Sequence, residues 1–410
     1  MHYQQHTLKN GLRIIHLPTD SAVSYCGYAI NGGTRDELSD EFGMAHFVEH
    51  LLFKGTRKRR PHHIINRMES VGGELNAYTS KEETLVYAIF PGNELERAVD
   101  LLSDLVFNST FPEAEIEKER EVILDEINSY KDSPSELIFD EFENLLFPGD
   151  DLGHNILGDE QSLEAFDSDK CRAFVDRLYQ PNNMVFFSMG STPFTKLVKL
   201  LEKHLAGIES AGDSTAPIRL VSQPIVIDNK PIYMKMETNQ AHVMIGARTL
   251  SMFDERRSAL FVMNNILGGP GMNSRLNVSL REKSGLVYTV ESNLTPYTDT
   301  GVFGIYFGTD PKKYKKGIGL VERELDWFRD KPMSKNQLIA AKKQLFGQLV
   351  VANENKENMA LGMGKTFLRF GRYDSFEEVN KRISNVNEED IWRLANELFS
   401  PDKLMTLIIK

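Results

Sequence analysis

Short stretches from the first half of the sequence recur in the second half, and this repeat is the feature that most constrains the fold. Residues 47–55 align with residues 261–269 at an offset of 214, and residues 178–184 align with residues 398–404 at an offset of 220. A few loop insertions would produce the drift between the two offsets. The repeat therefore predicts two domains of similar structure rather than one continuous core.

The length of 410 residues is sufficient for two domains that each bury their own core. Between the repeated stretches, residues 209–223 are rich in Ser, Gly, Ala and Pro, which is typical of a linker. We therefore expect an N-terminal domain at 1–212, a linker at 213–223 and a C-terminal domain at 224–410.

The first half contains the segment GMAHFVEHLLFKG, from Gly43 to Gly55. On an α-helix, His46 and His50 are four residues apart and lie on one face, with Glu49 beside them. Two imidazoles on adjacent turns can bind one metal ion, and a carboxylate just before the second histidine can take a proton from water. This is the arrangement of H-x-x-E-H zinc hydrolases. The pattern predicts a metal-dependent hydrolase.

A second interpretation of this segment is a buried helix that merely tolerates its histidines. Burial of three ionisable groups without a charge partner would cost several kcal/mol, a cost that a bound metal removes. At the aligned positions of the second half, the sequence has Leu260, Met263 and Asn264. Because the repeated helix needs no polar triad in order to pack, the comparison favours the metal interpretation.

Residues 112–130 form a predicted long helix crowded with acidic residues, and this helix is the expected source of a further ligand. A zinc site with two histidines takes a third protein ligand and leaves its fourth position to water. Glu119 and Glu126 are seven residues apart and project from the same side of the helix. One could bind the metal while the other supports a histidine ring, and the spacing alone does not choose between them.

The overall composition limits the kinds of partner and location that we expect. A net charge of −11 argues against a nucleic-acid-binding surface. The N-terminal residues resemble no export or import signal, and no apolar run of membrane-spanning length is present. Cys26 and Cys171 are too few and too far apart in sequence to suggest a disulfide framework. These features predict a cytoplasmic, reduced protein.

The second half has a glycine-rich turn at residues 267–276, followed by Arg281 and Tyr288. Such a turn could hold an anion, but it lacks both the G-K-[ST] motif and the dinucleotide fingerprint, so a nucleotide site is weakly supported. A surface loop is the alternative. Taken individually, Arg281 would be a surface arginine and Tyr288 an aromatic residue of a strand.

Taken together, these segments resemble the pitrilysin family of zinc peptidases, which includes mitochondrial processing peptidase and insulin-degrading enzyme. Glu126 follows His50 by 76 residues, as the family's glutamate ligand does, within a helix segment EREVILDE at residues 119–126 that resembles the family pattern. The roles that the resemblance implies are zinc ligands His46, His50 and Glu126, catalytic base Glu49 and supporting acid Glu119.

Two further segments resemble parts of the family's substrate site. Residues 73–80 resemble the edge strand that holds an extended peptide, which implies substrate binding by Asn76, Ala77, Tyr78 and Thr79. The segment at residues 280–288 resembles the one whose arginine and tyrosine, here Arg281 and Tyr288, contact the substrate and the carbonyl under attack.

The resemblance implies an α+β fold of two homologous domains, each a mostly antiparallel sheet packed with helices. It also implies one zinc ion per chain, although the same ligands would accept cobalt or manganese. The implied activity is a zinc-dependent endopeptidase, with a non-catalytic or heteromeric processing-peptidase-like subunit and a small-molecule hydrolase as alternatives. Because this chain is half as long as the fused family members, we expect a homodimer in which Arg281 and Tyr288 complete the partner's zinc site.

Overall fold

The computed structural model describes residues 2–210 and 230–410. The expected linker at 213–223 lies outside these residues. The β-strands are Gln4–Thr7 (β1), Arg13–Pro18 (β2), Val23–Ile30 (β3), Glu74–Thr79 (β4), Thr84–Pro91 (β5), Met184–Gly190 (β6), Ile232–Met234 (β7), Ala241–Thr249 (β8), Val287–Pro296 (β9), Gly301–Thr309 (β10) and Met405–Ile409 (β11).

The α-helices alternate with these strands along the chain. They are Met44–Leu51 (α1), Pro61–Glu69 (α2), Leu95–Asn108 (α3), Glu113–Lys131 (α4), Pro134–Leu146 (α5), Glu160–Glu164 (α6), Ser168–Leu178 (α7), Phe194–His204 (α8), Arg257–Gly268 (α9), Tyr314–Asp330 (α10), Lys335–Ala352 (α11), Lys356–Phe370 (α12), Phe376–Asn385 (α13) and Glu388–Leu398 (α14).

The two sheets repeat one topology, which confirms the predicted α+β fold of two similar halves. The first sheet has the order β1-β2-β6-β3-β5-β4, and the second has the order β7-β11-β8-β10-β9. In the first sheet β2 and β6 are parallel, as β7 and β11 are in the second. The remaining pairs are antiparallel in both sheets. The added β1 is the only difference in order among the described strands.

Different helices cover the two faces of the first sheet. Side chains alternate along a strand, so consecutive residues contact helices on opposite faces. Tyr28 of β3 points to α3, where its hydroxyl lies 2.8 Å from Ser103 Oγ and its ring packs against Phe107. The next residue, Ala29, belongs to the apolar cluster on the other face, together with Phe187 of β6 and residues of α12. The second sheet has α9 and α14 beside it and is also covered by α5, whose residues share an apolar cluster with β8 and β11.

The described residues form two compact units whose membership crosses the sequence midpoint. One unit contains residues 2–127, 154–210 and 353–374, and the other contains residues 128–153, 230–352 and 375–410. Thus α12, from the second half of the sequence, belongs to the first unit, and α5, from the first half, belongs to the second. The division into 1–212 and 224–410 differs from the compact units in these two exchanged helices.

Cys26 and Cys171 are both buried and free, as their spacing predicts. None of the helices in the described part of the chain combines the length and apolarity that a membrane crossing requires.

Candidate metal centre

The histidine helix α1 begins at a glycine that no other residue could replace without strain. Gly43 caps the helix with a φ of 96°, in the left-handed region that favours glycine. A Cβ atom at this position would lie 2.7 Å from the carbonyl oxygen of Leu157. The helix can therefore start here only because residue 43 has no side chain, which leaves room for the backbone of a distant loop.

The buried carboxylate of Glu37 completes the start of α1. Its two oxygens accept hydrogen bonds from the backbone N–H groups of Gly43 and Ala45, at 2.9 and 2.8 Å. His154 Nε2 lies 2.9 Å from the same carboxylate. Burial raises the pKa of Glu37 well above its usual range, although the two N–H donors and the charge of Lys81 oppose the shift. The histidine helix is thus held at its first turn by a side chain six residues upstream of its N-cap.

The structure brings His46, His50 and Glu126 together. His46 Nε2 and His50 Nε2 each lie 3.9 Å from Glu126 Oε2, and candidate ligand atoms of the three residues all lie within 4.8 Å of one another. These separations are too long for hydrogen bonds. They are compatible with ligands that each bind a shared zinc ion at about 2.0–2.2 Å.

The protonation of this group also suits a metal ion. Burial is the larger cause and the electrostatic effect of His50 the smaller one of a fall in the pKa of His46 to about 4. Its imidazole is therefore neutral at pH 7 and has a free lone pair. The side chains of His46, His50 and Glu126 are 12%, 25% and 45% exposed, which leaves the third ligand open to solvent. Two imidazoles and one carboxylate form a donor set that zinc accepts.

Glu119 and Glu126 of α4, which spacing alone did not distinguish, occupy different positions around His50. Glu119 Oε2 lies 3.1 Å from His50 Nδ1, the ring atom turned away from Glu126. The other oxygen of Glu119 lies 2.6 Å from Lys54 Nζ. Glu119 therefore fixes the orientation of the His50 ring, as carboxylates behind metal-binding histidines do, whereas Glu126 faces the position between the two Nε2 atoms.

Glu49 lies beside the same group, at the boundary between α1 and the edge strand β4. Burial raises its pKa, while hydrogen bonds from Thr79 and the charge of His50 act in the opposite direction. Thr79 also donates a hydrogen bond to the carbonyl oxygen of Ala45, at 3.4 Å. A raised proton affinity suits a carboxylate that accepts and then returns a proton.

An open cavity of about 440 Å³ lies next to Glu49 and His50. Asn76 and Ala77 of β4 contribute to its lining. β4 pairs with β5 on one side and is the last strand of its sheet. Its outer edge can therefore add a further extended segment through main-chain hydrogen bonds.

Tyr78 lies on the opposite face of β4 from the cavity. Its ring packs against the apolar cluster that contains α12 residues, and Lys365 Nζ lies 4.8 Å from the ring centroid. The residues on either side of it, Ala77 and Thr79, contact the cavity and α1 respectively. Because side chains alternate along a strand, the Tyr78 side chain is turned away from the candidate metal centre.

Arg281 and Tyr288 lie close to each other in the second compact unit. The Arg281 guanidinium is 5.8 Å from the centroid of the Tyr288 ring. Tyr288 is 86% exposed and belongs to β9, the strand that occupies in the second sheet the position of β4 in the first. An aromatic ring this exposed is available to a ligand or a partner.

Helix α9 is the repeat of α1 in the second unit and lacks the polar residues of α1. Leu260 and Met263, at the positions of His46 and Glu49, are buried in the apolar core of the second unit. Asn264, at the position of His50, donates a hydrogen bond to the carbonyl oxygen of Ser292. The polar triad of α1 is therefore not a requirement of the fold.

Sequence profiles of known families match most of the chain. The profile described as insulinase, peptidase family M16, matches residues 14–160, and the profile described as the peptidase M16 inactive domain matches residues 165–345. The chain belongs to peptidase family M16. This family is the pitrilysin family that the sequence resembles.

Relatives in the M16 family cover nearly the whole chain. An uncharacterized zinc protease of Bacillus subtilis, YmxG, is 32% identical over 407 residues, which is 99% of this chain and 98% of the relative. An uncharacterized zinc protease of Streptomyces coelicolor is 33% identical over 408 residues, which is 98% of this chain and 88% of the relative.

Solved structures share the M16 fold. The crystal structure of a protease from Helicobacter pylori has a TM-score of 0.91 at 20% identity and covers 100% of this chain and 99% of its own. A structure described as a peptidase M16 inactive domain, from Pseudomonas fluorescens, has a TM-score of 0.91 at 18% identity, with coverages of 100% and 98%. These similarities establish the two-sheet architecture.

Several residues around this M16 site carry no local signal in the sequence. Glu37 and His154 are 117 residues apart, yet they meet at the start of α1. Lys54 lies in the basic run after α1, which suggests only a solvated loop, and the structure pairs it with Glu119. Glu69 closes a helix of ordinary composition and lines the cavity. Glu37 could have been found from a contact prediction that pairs position 37 with positions 43–45.

Proposed function

We propose that this chain is a zinc-dependent endopeptidase that hydrolyses peptides bound in an extended conformation. The observation that carries the proposal is the convergence of two histidine Nε2 atoms on Glu126 Oε2 at 3.9 Å each, with Glu49 beside them. The M16 relatives named as zinc proteases support it.

The proposed mechanism divides the chemistry among the residues of α1 and α4. His46, His50 and Glu126 would hold a zinc ion, which when bound supplies a Lewis acid that lowers the pKa of water to about 7. Glu49 takes a proton from the attacking water and then delivers it to the leaving amine. Glu119 keeps the His50 ring oriented through its Nδ1 atom.

The edge strand would position the substrate. A peptide that adds to β4 beside Asn76 and Ala77 lies along the cavity that Glu49 and His50 also line. Main-chain hydrogen bonds supply affinity in this mode, and side-chain pockets supply a modest sequence preference. Tyr78 supports this strand from its other face, where it packs against the α12 cluster.

The test of this function is hydrolysis of a mixed quenched-fluorescence peptide library by zinc-loaded protein. We expect cleavage at internal peptide bonds, with a loss of at least about a hundredfold in Glu49→Gln, the scale of general-base catalysis. Both proteins must contain the same amount of zinc, measured by atomic absorption. Removal of zinc with a chelator should abolish cleavage, and its return should restore it.

A non-catalytic or heteromeric subunit role is the alternative that this experiment separates. Zinc bound in both proteins without cleavage by either would support that role. The profile called the M16 inactive domain does not favour it, because that profile matches residues 165–345, outside the histidine helix. Turnover of a small amide or ester but of no peptide would instead support a small-molecule hydrolase.

We further propose a homodimer in which Arg281 and Tyr288 of one subunit complete the zinc site of the other. The exposure of Tyr288 and its contact with Arg281 support a role toward a partner or substrate. Tyr288 would stabilise the oxyanion of the tetrahedral intermediate, which is worth about 3–4 kcal/mol for a well-placed donor. A cytoplasmic location stays a prediction.

Mixing two inactive variants tests the dimer directly. Glu49→Gln and Tyr288→Phe subunits, mixed under conditions in which exchange is verified, should regain activity because each mixed dimer contains one intact site. Activity that stays at the level of the separate variants after verified exchange would contradict the shared site, and a monomeric mass in solution would contradict the dimer.

A further inference from the structure

The edge strand β4 is contacted on both of its faces. On the α1 side, the Thr79 hydroxyl donates a hydrogen bond to the carbonyl oxygen of Ala45, at 3.4 Å. On the other side, the Tyr78 ring meets Lys365 of α12, whose Nζ lies 4.8 Å from the ring centroid. Burial raises the pKa of Tyr78, and the nearby Lys365 ammonium opposes the shift. Because β4 has a neighbouring strand along one edge only, the contacts with its faces are needed to fix its position.

Lys365 also reaches the turn that joins β4 to β5. Its Nζ lies 3.5 Å from Glu83 Oε1. Glu83 closes this turn, because its carbonyl oxygen accepts hydrogen bonds from the backbone N–H and the hydroxyl group of Ser80, at 2.8 and 3.0 Å. One ammonium group of α12 therefore contacts both the edge strand near its end and the turn that follows it.

A second cation of α12 also pairs with Glu83. Arg369 Nη2 lies 2.7 Å from Glu83 Oε2 and donates to the carbonyl oxygen of Glu82, at 2.6 Å. The side chain of Arg369 is 7% exposed, whereas that of Lys365 is 38% exposed. Burial alone would raise the pKa of Glu83, but the charges of Arg369 and Lys365 outweigh it and lower the pKa. Loss of Lys365 would thus leave Glu83 paired with Arg369 and remove the cation from Tyr78.

A peptide that adds to the outer edge of β4 needs the N–H and C=O groups of that edge in line. An edge strand whose position fluctuates must be ordered when the peptide binds, and this ordering lowers the affinity. A strand that is held in place beforehand avoids that loss. After binding, the main-chain hydrogen bonds of the peptide themselves hold β4. The contribution of a preformed strand therefore appears in binding rather than in the later steps.

We propose that Lys365 is a positioning residue for the peptide, and that through Tyr78 and Glu83 it holds β4 in the arrangement that accepts an extended substrate. The inference rests on the proposed peptidase function and deepens it, because it assigns part of substrate binding to a helix from the second half of the sequence. Lys365 meets the face of β4 opposite the cavity, so its effect on the substrate is indirect.

Steady-state kinetics of Lys365→Met on a peptide that the parent cleaves tests this role. We expect KM to rise about three- to tenfold, the scale of ordering one group on binding, with kcat within about twofold of the parent. A higher KM at an unchanged kcat is the signature of lost binding. Lys365→Arg keeps a cation for both the aromatic ring and the carboxylate, and it should return KM to within about twofold of the parent.

Lys356→Met is the matched control. It replaces the same residue type at the first residue of α12, more than two helical turns before Lys365. The control should keep the KM of the parent. Hydrogen exchange of the β4 amide groups should accelerate in Lys365→Met and not in the control. Urea unfolding should give both variants a midpoint close to that of the parent, since Arg369 keeps Glu83 paired.

A double-mutant cycle locates the effect at Tyr78. In the Glu49→Gln background, fluorescence anisotropy measures peptide binding without hydrolysis. Lys365→Met and Tyr78→Leu should each weaken binding, and the combined variant should bind within about twofold of the weaker-binding single variant. Effects that multiply would mean that Lys365 acts elsewhere, and they would overturn the inference.

The outcomes separate this inference from the peptidase function. Cleavage by the parent with an unchanged KM in Lys365→Met overturns the inference and leaves the peptidase supported, as does a fall in kcat alone. Binding that weakens in Lys365→Met without cleavage by the parent supports the positioning role and overturns the peptidase. The absence of both binding and cleavage overturns both.

Discussion

Glu37 shows how a single buried side chain can determine where the proposed metal ligands lie. Its side chain is 0% exposed and meets two backbone N–H groups of the first turn of α1 as well as His154. His46 follows Ala45 directly, so a movement of the first turn moves a proposed metal ligand. A buried polar interaction thus fixes the residue at which this helix starts.

Replacement of Glu37 by glutamine should destabilise the protein, because one of the buried donors then faces an NH₂ group instead of an oxygen. We expect the free energy of unfolding to fall by about 1–3 kcal/mol, the cost of an unsatisfied buried polar group. Urea unfolding of the zinc-free protein measures it.

The control for Glu37→Gln is Glu113→Gln. Glu113 also accepts a backbone N–H, that of Ser168 at 3.0 Å, but it is exposed. Solvent can replace that interaction, so its loss should cost no more than about 0.5 kcal/mol. Equal effects of the two substitutions would contradict the importance of the buried position.

His16 predicts a pH dependence of stability that is separate from the metal centre. Burial lowers its pKa to about 4, against the effect of backbone groups of Thr192 and Ser188. Between pH 4 and 6.5 the unfolded chain therefore binds more protons at this residue than the folded chain does. Its contribution makes the folded state less stable as the pH falls from 6.5 towards 4, and it contributes no pH dependence above that range.

The variant His16→Gln isolates this contribution. We expect the free-energy difference between parent and variant to change by up to about 3 kcal/mol between pH 7 and pH 4, in favour of the variant at low pH. Urea unfolding of both zinc-free proteins at several pH values measures the difference. Parallel stability curves across this range would show that His16 titrates alike in both states.

The sequence places the candidate ligands together, whereas it does not reveal the side chains that support them. His46, Glu49 and His50 share one helix, so helical geometry alone places them together. Helical spacing did not distinguish Glu126 from Glu119, although the family resemblance did. In three dimensions Glu119 lies behind the His50 ring and Glu126 in front of it. The contact of Glu37 with His154 depends on the packing of distant loops, which no local pattern encodes.

At the scale of elements, α12 lies so close to the first sheet that glycine is required at one position. A Cβ atom on Gly364 would lie 2.5 Å from Cδ1 of Phe187, whose ring is buried in the sheet's core. Two residues earlier on the same helix, a Cβ atom on Gly362 would meet nothing within 4 Å. Close packing therefore requires glycine at position 364 but not at position 362.

Substitution of each glycine by alanine should have opposite effects. Gly362→Ala should stabilise the protein by about 0.5–1 kcal/mol through better helix propensity. In Gly364→Ala the same gain is opposed by overpacking, which costs about 1–3 kcal/mol, so net destabilisation is expected. Thermal or urea unfolding measures both. Equal stabilisation by the two substitutions would mean that Phe187 moves aside without cost.

The long acidic helix was predicted nearly to its ends. It was expected at residues 112–130 and spans Glu113–Lys131. Alternation and helical periodicity report which face of an element is buried. They do not report against which element it packs, so the positions of α5 and α12 could not be read from the pattern.

At the scale of the whole molecule, the duplicated halves are similar in topology but not self-sufficient. The sheet of each half is covered on one face by a helix from the other half. The α12 residues that enter the core of the first unit are Met359, Ala360, Met363, Phe367 and Leu368. Burial of these side chains contributes on the order of 5–10 kcal/mol, which is comparable to the entire stability of a typical domain.

The exchange of α5 and α12 between the two halves predicts that each half folds only in the presence of the other. Fragments 1–219 and 220–410, produced separately, should lack a cooperative unfolding transition, because each exposes the sheet face that the other fragment covers. An equimolar mixture refolded from urea should recover the circular dichroism, the cooperative transition and the zinc stoichiometry of the intact chain. A second fragment that carries Gly364→Val should complement less well, since its helix collides with Phe187. If fragment 1–219 alone unfolded cooperatively at the midpoint of the mixture, the first sheet would not depend on α12.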